Sequence, residues 1–469
     1  MHQLFRTRTQ SHEDLADSGL KRCLSAFDLT LLGIGAIIGT GIFVLTGIAA
    51  ATQAGPAVIL SFAIAGTACG FAALSYSELA SSLGGCGSAY GYSYSAFGEL
   101  IAWIIGWNLL MEYGMSVAAV ANGWSGYFVN ALQAMGIEFP AALSKAPSKG
   151  GLVNLPAALI VLALTALLVS GVKESARMNT VMVAIKLVTI LVFLAVCTQH
   201  VDPAKWSPFM PFGWFERAVD GHTSGVLAGA AMVFFAFIGF DAVTTAAEEA
   251  RRPQRDLPIG IIGSLVFCTF FYIAVAAVLT GVVPWHELNV SSPVAHALLE
   301  LGYRWASGMV AAGVIAGLIT VMLVVFYGLT RIIFAMARDG LLPGVFGRIS
   351  MRTQTPVITI VSTGVISAFF AGFVPLGELA EMVNIGTLFA FVMVCLGVIT
   401  LRRTQPHLNR PFRTPWHPLI PLAGALSCGA LMSFLPLVTW VRFLSWLGIG
   451  LVVYFLYSYR HSHLARAAG

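Results

Sequence analysis

The stretch LLGIGAIIGTGIF, Leu31–Phe43, is apolar enough to enter a bilayer, yet glycine occupies positions 33, 35, 39 and 41, with Thr40 between the last two. Glycine in a helix interior costs about 1 kcal/mol relative to alanine. Four in so short a run are expected only where the backbone must open or a neighbour must come close. Gly35 and Gly39 form a GxxxG, the spacing that lets two membrane helices pack tightly. The alternative is an interrupted helix. A dinucleotide fingerprint fits poorly, because Gly33, Gly35 and Gly39 give GxGxxxG and no strand precedes them.

The rest of the chain sets the context. Its 469 residues are 58% hydrophobic and only 10% charged, with a mean hydropathy of +0.84, whereas soluble domains carry roughly a quarter charged residues. Twelve apolar segments are expected, at about 27–51, 56–79, 100–132, 155–172, 178–196, 224–247, 259–282, 306–334, 357–374, 379–401, 419–438 and 443–459. None shows the short alternating pattern of a membrane β-barrel. Nineteen of the 26 Lys and Arg residues fall on one set of connections, six on the other, and one inside a segment. Positive loops stay inside, so both termini are expected in the cytoplasm. The polar first residues, MHQLFRTRTQ, hold no signal-peptide core.

The net charge of +5 is therefore a matter of topology, and nucleic acid is not an expected partner. The seven cysteines form no CxxC, and His461 and His463 lack nearby co-ligands, so neither a disulfide framework nor a metal site is expected. No nucleophile and base, and no ligand set, stand at a catalytic spacing; an enzyme is not expected.

The sixth segment decides between the two readings of the first. FFAFIGFDAVTTAAEEA, from Phe234, places Gly239 and Asp241 within an apolar run. An Asp at that depth is costly unless it caps a broken helix or lines a cavity. Segments one and six are corresponding members of two five-segment halves, about 27–197 and 224–401, within a core of 27–401. Residues 1–26 precede that core, and 402–469 add segments eleven and twelve with a tail. Paired interruptions of this kind point to a transporter with inverted repeats. The helix ends at such breaks expose N–H groups that attract an anion and carbonyls that attract a cation, which suits a zwitterion.

Two ionisable residues lie deep in the apolar segments. Lys186 is about nine residues into segment five, ~12–14 Å at 1.5 Å per residue, too deep for easy snorkelling. Glu112 is about twelve residues into segment three; either it is functional or it is a protonated, hydrogen-bonded core acid. A buried amine able to exchange its proton fits proton coupling, and its ammonium can stand where Na⁺ would sit. Protons, with no other cofactor and without Na⁺, are the expected coupling ion.

KRCLSAFDLTLLGIGAIIGTGIFVLTG, ELASSLGGCGSAYGYSYSAFGE, WSPFMPFGW, FFAFIGFDAVTTAAEEARRPQRDLP and RIIFAMARDGLLP together resemble the cationic amino acid transporter branch of the amino acid, polyamine and organocation superfamily. The resemblance implies an all-α leucine-transporter-type fold: twelve transmembrane helices, a 5+5 inverted repeat with helices 1 and 6 broken, and helices 11 and 12 added. It implies a substrate carboxylate held by backbone N–H groups around Gly39 to Gly41 and by the Thr40 side chain, with the Ile37 carbonyl toward the amine and Ile38 among the substrate-binding residues. The carbonyls of Phe235 and Ile238 and the Phe235 ring would face the substrate from segment six. Lys186 matches the lysine standing in for sodium, and Glu112 an acid near the pocket.

The chain departs from that pattern at Arg252-Pro253, where many relatives have Asn-Pro, and at Gly84 or Gly85, where many have proline. Twelve segments suggest a bacterial inner-membrane protein. It is expected as a monomer or weak dimer in the lipid bilayer, with a small single-helix accessory protein left open. Met322 in segment eight, if it faces the site, makes a short apolar pocket favouring small neutral amino acids such as alanine; as core filler it would say nothing. Uptake of Arg or Lys, or amino acid and polyamine exchange, is the alternative. A bulky residue at Gly41 is expected to abolish binding while leaving the protein folded.

Overall fold

A computed structural model describes residues 24–83, 89–171, 176–218, 223–245, 250–350, 353 and 355–463. The polar residues 1–23, Gly84, Gly85, Cys86 and the tail beyond His463 lie outside them. The chain is almost entirely helical. In order come α1 (Ala26–Ile37), a π turn (Gly41–Leu45), α2 (Thr46–Ala49), a second π turn (Ala50–Ala54), α3 (Val58–Leu83), α4 (Ala89–Phe97), α5 (Glu99–Ala134), α6 (Leu155–Val169) and α7 (Ala176–Cys197). A two-residue hairpin, Glu216–Arg217 with Thr223–Ser224, precedes α8 (Val226–Val233), α9 (Ala242–Thr245), α10 (Pro253–Val282), α11 (Pro293–Glu300) and α12 (Arg304–Arg338). The chain continues through α13 (Val357–Phe373), α14 (Leu376–Thr404), α15 (Leu419–Ser433), α16 (Leu437–Val453) and α17 (Tyr459–His461).

Seven helices among the described residues are long and apolar enough to cross a membrane, and five shorter apolar helices accompany them. Two of the short helices, Ala26–Ile37 and Val226–Phe237, are halves of the interrupted segments. Between segments one and two the chain passes from a π turn to a 3-10 turn at Gly55, which leaves helical geometry with a φ of +62° that a side chain would oppose. The rows Leu159, Leu162, Val188, Leu191, Ile366, Phe369, Val441 and Leu444 are exposed apolar surface, the complement of hydrocarbon rather than water.

The helices that pack most extensively are α3 with α10, α5 with α12 and α14, α1 with α10, and α6 with α13. At one end of the bundle Glu78, 1% exposed, accepts from Arg402 Nε at 2.8 Å, Arg402 Nη2 at 2.6 Å and the Thr414 N–H at 2.7 Å. This ties the end of α3 to the end of α14 and to the loop that follows. In that loop, burial and the neighbouring Arg402 push His417 below the usual histidine range.

Candidate functional site

Both glycine-bearing segments break where the sequence suggests. Helix α1 ends at Ile37, Ile38 turns extended (ψ +103°), and helical geometry resumes beyond Gly39. In the other segment α8 tightens into a 3-10 turn, Phe234–Phe237, then Ile238 turns extended (ψ +134°) and Gly239 takes φ +117° before α9. The two breaks touch backbone to backbone. A Cβ on Gly41 would lie 2.3 Å from Ala236 Cα, and one on Gly239 would lie 2.9 Å from the Ala36 carbonyl oxygen. Glycine is required at both because each meets main chain, which cannot rotate away.

The glycines of Leu31–Phe43 divide between the two readings. Gly33 faces Ser264 of α10, and Gly35 faces Asn179 and Val183 of α7, so these two serve close packing. A Cβ on Gly39 would meet Val321 side-chain atoms at 3.5 and 3.6 Å and the Ile37 carbonyl oxygen at 4.0 Å, all ordinary contact distances. Gly39 belongs to a cavity.

Freed carbonyls at the breaks need donors, because nothing in hydrocarbon supplies them. Lys186 of α7, 1% exposed, donates through Nζ to the Gly35 carbonyl at 2.7 Å. The Tyr272 hydroxyl of α10 lies 2.8 Å from the Ile37 carbonyl and 2.7 Å from that of Ala236. With one hydrogen it donates to one at a time, clamping the two breaks together. Asn384 of α14 donates to the carbonyls of Ala231 and Met232 at 2.7 and 3.0 Å. Asp241, just before α9, accepts from the Gly239 N–H at 3.3 Å and the Tyr113 hydroxyl at 3.2 Å, so its carboxylate braces the second break and joins it to α5.

Between the breaks lies a small cavity of about 20 Å³, lined by Ala36, Ile37, Gly39, Thr40, Gly41 and Ser116 and by the apolar side chains of Val120, Phe235, Ile238, Val321 and Val325. That is room for one or two water molecules. Two hydroxyls on its wall, Thr40 Oγ1 and Ser116 Oγ, have no hydrogen-bond partner among the described residues. Of the first N–H groups of the helix beginning at Gly41, that of Phe43 donates to the Gly39 carbonyl at 3.4 Å, while those of Gly41 and Ile42 have no carbonyl a turn earlier within the helix. Hydrogen-bonding groups at one end and aliphatic walls at the other can hold a polar head and an apolar tail.

The sequence-derived residues are thus gathered in part. Ile37, Gly39, Thr40, Gly41, Phe235 and Ile238 line the cavity, and Ile38 is the extended residue of the first break. The Phe235 carbonyl already accepts from the Ile238 N–H at 3.3 Å, and that of Ile37 from Tyr272, leaving each a second lone pair. Lys186 is behind the cavity, against Gly35 and Gly317. Glu112 is 1% exposed, one turn from Ser116 on α5 and beside Thr387. Met322 is fully buried on α12, but α12 contributes Val321 and Val325 to the cavity wall.

Sequence reasoning missed Ser116, Val120, Val321, Val325, Tyr272 and Asn384. Ser116 and Val120 stand four and eight residues beyond Glu112 and share its helix face, a signal that was present. Replacing Tyr272 with Phe removes the clamp and strands a buried carbonyl. A loss of about 1–3 kcal/mol is expected in detergent thermal unfolding, together with slower uptake; unchanged stability would mean that the clamp carries no energy.

A helical chain in which apolar helices break at depth around a cavity is built as a membrane transporter rather than as an enzyme. Over residues 24–459 it matches the amino acid permease family model, and the chain belongs to that family, of the amino acid, polyamine and organocation superfamily. It is 51% identical over 467 residues to the branched-chain amino acid permease BcaP of Bacillus subtilis, covering 97% of this chain and 98% of the relative. It is 48% identical over 469 residues to the methylthioribose transporter of the same organism, covering 99% of this chain and 100% of the relative. The human cationic amino acid transporter 4 is 41% identical over 394 residues, 82% of this chain and 60% of that protein.

Proposed function

We propose that the chain is a secondary active permease that takes up neutral, apolar L-amino acids by alternating access, driven by protons. The observation that carries this reading is the cavity itself, with unpartnered Thr40 and Ser116 hydroxyls beside the Gly39–Gly41 backbone and aliphatic walls opposite. The substrate carboxylate is read onto the N–H groups and Thr40 around Gly39–Gly41. Its amine goes to the second lone pairs of the Ile37, Phe235 and Ile238 carbonyls. Among the described residues no acidic side chain lines the cavity, which favours neutral over cationic substrates. Once the breaks move apart its aliphatic wall suits small apolar side chains such as that of alanine, and the likeness to a branched-chain permease extends the range to valine, leucine and isoleucine.

Of the five most extensive pairings, α5 with α14 and α1 with α10 join other segments, and three, α3 with α10, α5 with α12 and α6 with α13, join segments two and seven, three and eight, and four and nine. That constant offset supports a 5+5 inverted repeat within 27–401, with segments eleven and twelve outside it. In this reading twelve segments cross a bacterial inner membrane and both termini are cytoplasmic. Lys186 is the coupling group, and Glu112 assists beside the pocket. No Na⁺ is needed. A monomer or weak dimer, with or without a single-helix companion, accommodates this site.

Uptake by purified protein in proteoliposomes tests the reading. An inward proton gradient should accelerate it, Na⁺ should not, and alanine, valine and leucine should compete where arginine, lysine and methylthioribose do not. Counterflow without net uptake would favour an exchanger. Met322→Ser should admit arginine or lysine if Met322 closes the side-chain end; if specificity is unchanged, Met322 is packing and Val321 and Val325 are the wall.

A further inference from the structure

Away from the two breaks, α3, α8 and α15 enclose a groove of about 420 Å³ walled by Leu60, Ile64, Leu227, Leu431 and Phe434. This is within the ~300–1,000 Å³ of clefts that hold organic ligands. Thr67 and Ala430, which also line it, are exposed, so it opens sideways from the bundle. Trp214 of the loop before α8 lines it too and is 58% exposed, as tryptophans are where membrane meets water.

A cation stands beside the groove. Phe434 packs on Phe215 with ring centroids 4.8 Å apart, and the exposed Arg217 guanidinium lies 5.7 Å above the Phe215 ring. Arg217 Nη2 donates to the Ser433 carbonyl at 2.9 Å, which fixes the head at the end of α15. Its Nε and Nη1 make no hydrogen bond among the described residues, and no carboxylate there pairs with it. An apolar slot open to hydrocarbon, with a positioned guanidinium at its end, matches one chemistry: a chain that carries a phosphate.

We propose that this groove binds one phospholipid of the leaflet facing loop 198–224. One acyl chain lies along Leu60, Ile64, Leu227 and Leu431, and the phosphate pairs with Arg217. The chain restores the dispersion contacts that an unfilled groove forfeits, and guanidinium with phosphate forms strong charge-assisted hydrogen bonds. A helix from a partner protein or a second copy would fill the slot but would bring no phosphate.

The test uses the full chain in proteoliposomes containing phosphatidylglycerol with a photoreactive acyl chain, and native mass spectrometry of the protein in detergent with added phosphatidylglycerol. The expected result is one retained lipid per chain and crosslinks concentrated on residues 60–68 and 427–434. Ala63→Trp and, independently, Ala430→Phe fill the groove and should remove most of those crosslinks. Arg217→Gln should weaken retention of phosphatidylglycerol about tenfold while leaving a diacylglycerol of the same chains unaffected. Crosslinks no denser than on the open face of α16, or undiminished in both filled variants, would overturn the proposal. So would retention indifferent to Arg217, or crosslinking between two copies in place of lipid.

Discussion

Replacing Lys186 with methionine is expected to leave a folded, inserted protein that still exchanges substrate but no longer responds to a proton gradient. Methionine approximates the lysine stem in volume, so the packing against Gly35 and Gly317 is retained. What disappears is the Nζ donor 2.7 Å from the Gly35 carbonyl. Lys186→Ala is the harsher change. It opens a cavity at a fully packed site, and large-to-small core changes cost about 2–5 kcal/mol, so loss of transport there mixes packing with chemistry. The pair separates the two. Gradient-stimulated uptake in the methionine variant would remove Lys186 from coupling and leave it as a structural clamp on the break.

Gly41→Val should eliminate substrate binding, and the structure revises the expectation that the protein would otherwise be undisturbed. A Cβ at 41 would lie 2.3 Å from Ala236 Cα, 2.4 Å from its Cβ and 3.0 Å from its nitrogen. Those atoms are main chain or nearly so. The two breaks must separate, and both stability and binding should fall. Gly39→Ala is the informative contrast: its Cβ meets Val321 at 3.5 and 3.6 Å, ordinary contact distances. That variant should fold normally and lose transport of bulkier substrates first. Equal thermal stability of the two variants, or equal uptake of leucine by both, would contradict the assignment of Gly41 to backbone contact and Gly39 to the cavity.

The interruptions were legible because glycine and aspartate are conspicuous inside apolar runs. Gly239 and Asp241 located the second break, and Asp241 braces that break through the Gly239 N–H and is not among the residues that line the cavity. The groups that hold the breaks together were not legible. Tyr272 and Asn384 are single polar residues in apolar helices, with no spacing that announces a partner, and the carbonyls they serve belong to residues 36 or more positions away. The α12 wall was missed by one residue of register. Adjacent helix positions point about 100° apart, so Val321 lines the cavity while Met322 is buried beside it. Hydropathy alone does not fix that rotation. The Glu78 network was also hidden, since its arginine partner stands 324 residues along the chain.

The cavity, about 20 Å³, is too small for an amino acid, so substrate entry requires the breaks to move apart. The most direct measurement is an electron cryomicroscopy map of the protein with its transported amino acid bound. The carboxylate should lie within hydrogen-bond reach of the Gly39–Gly41 backbone and Thr40, with the side chain toward Val120, Val321 and Val325. Substrate density elsewhere, with the two breaks still closed on each other, would contradict the site.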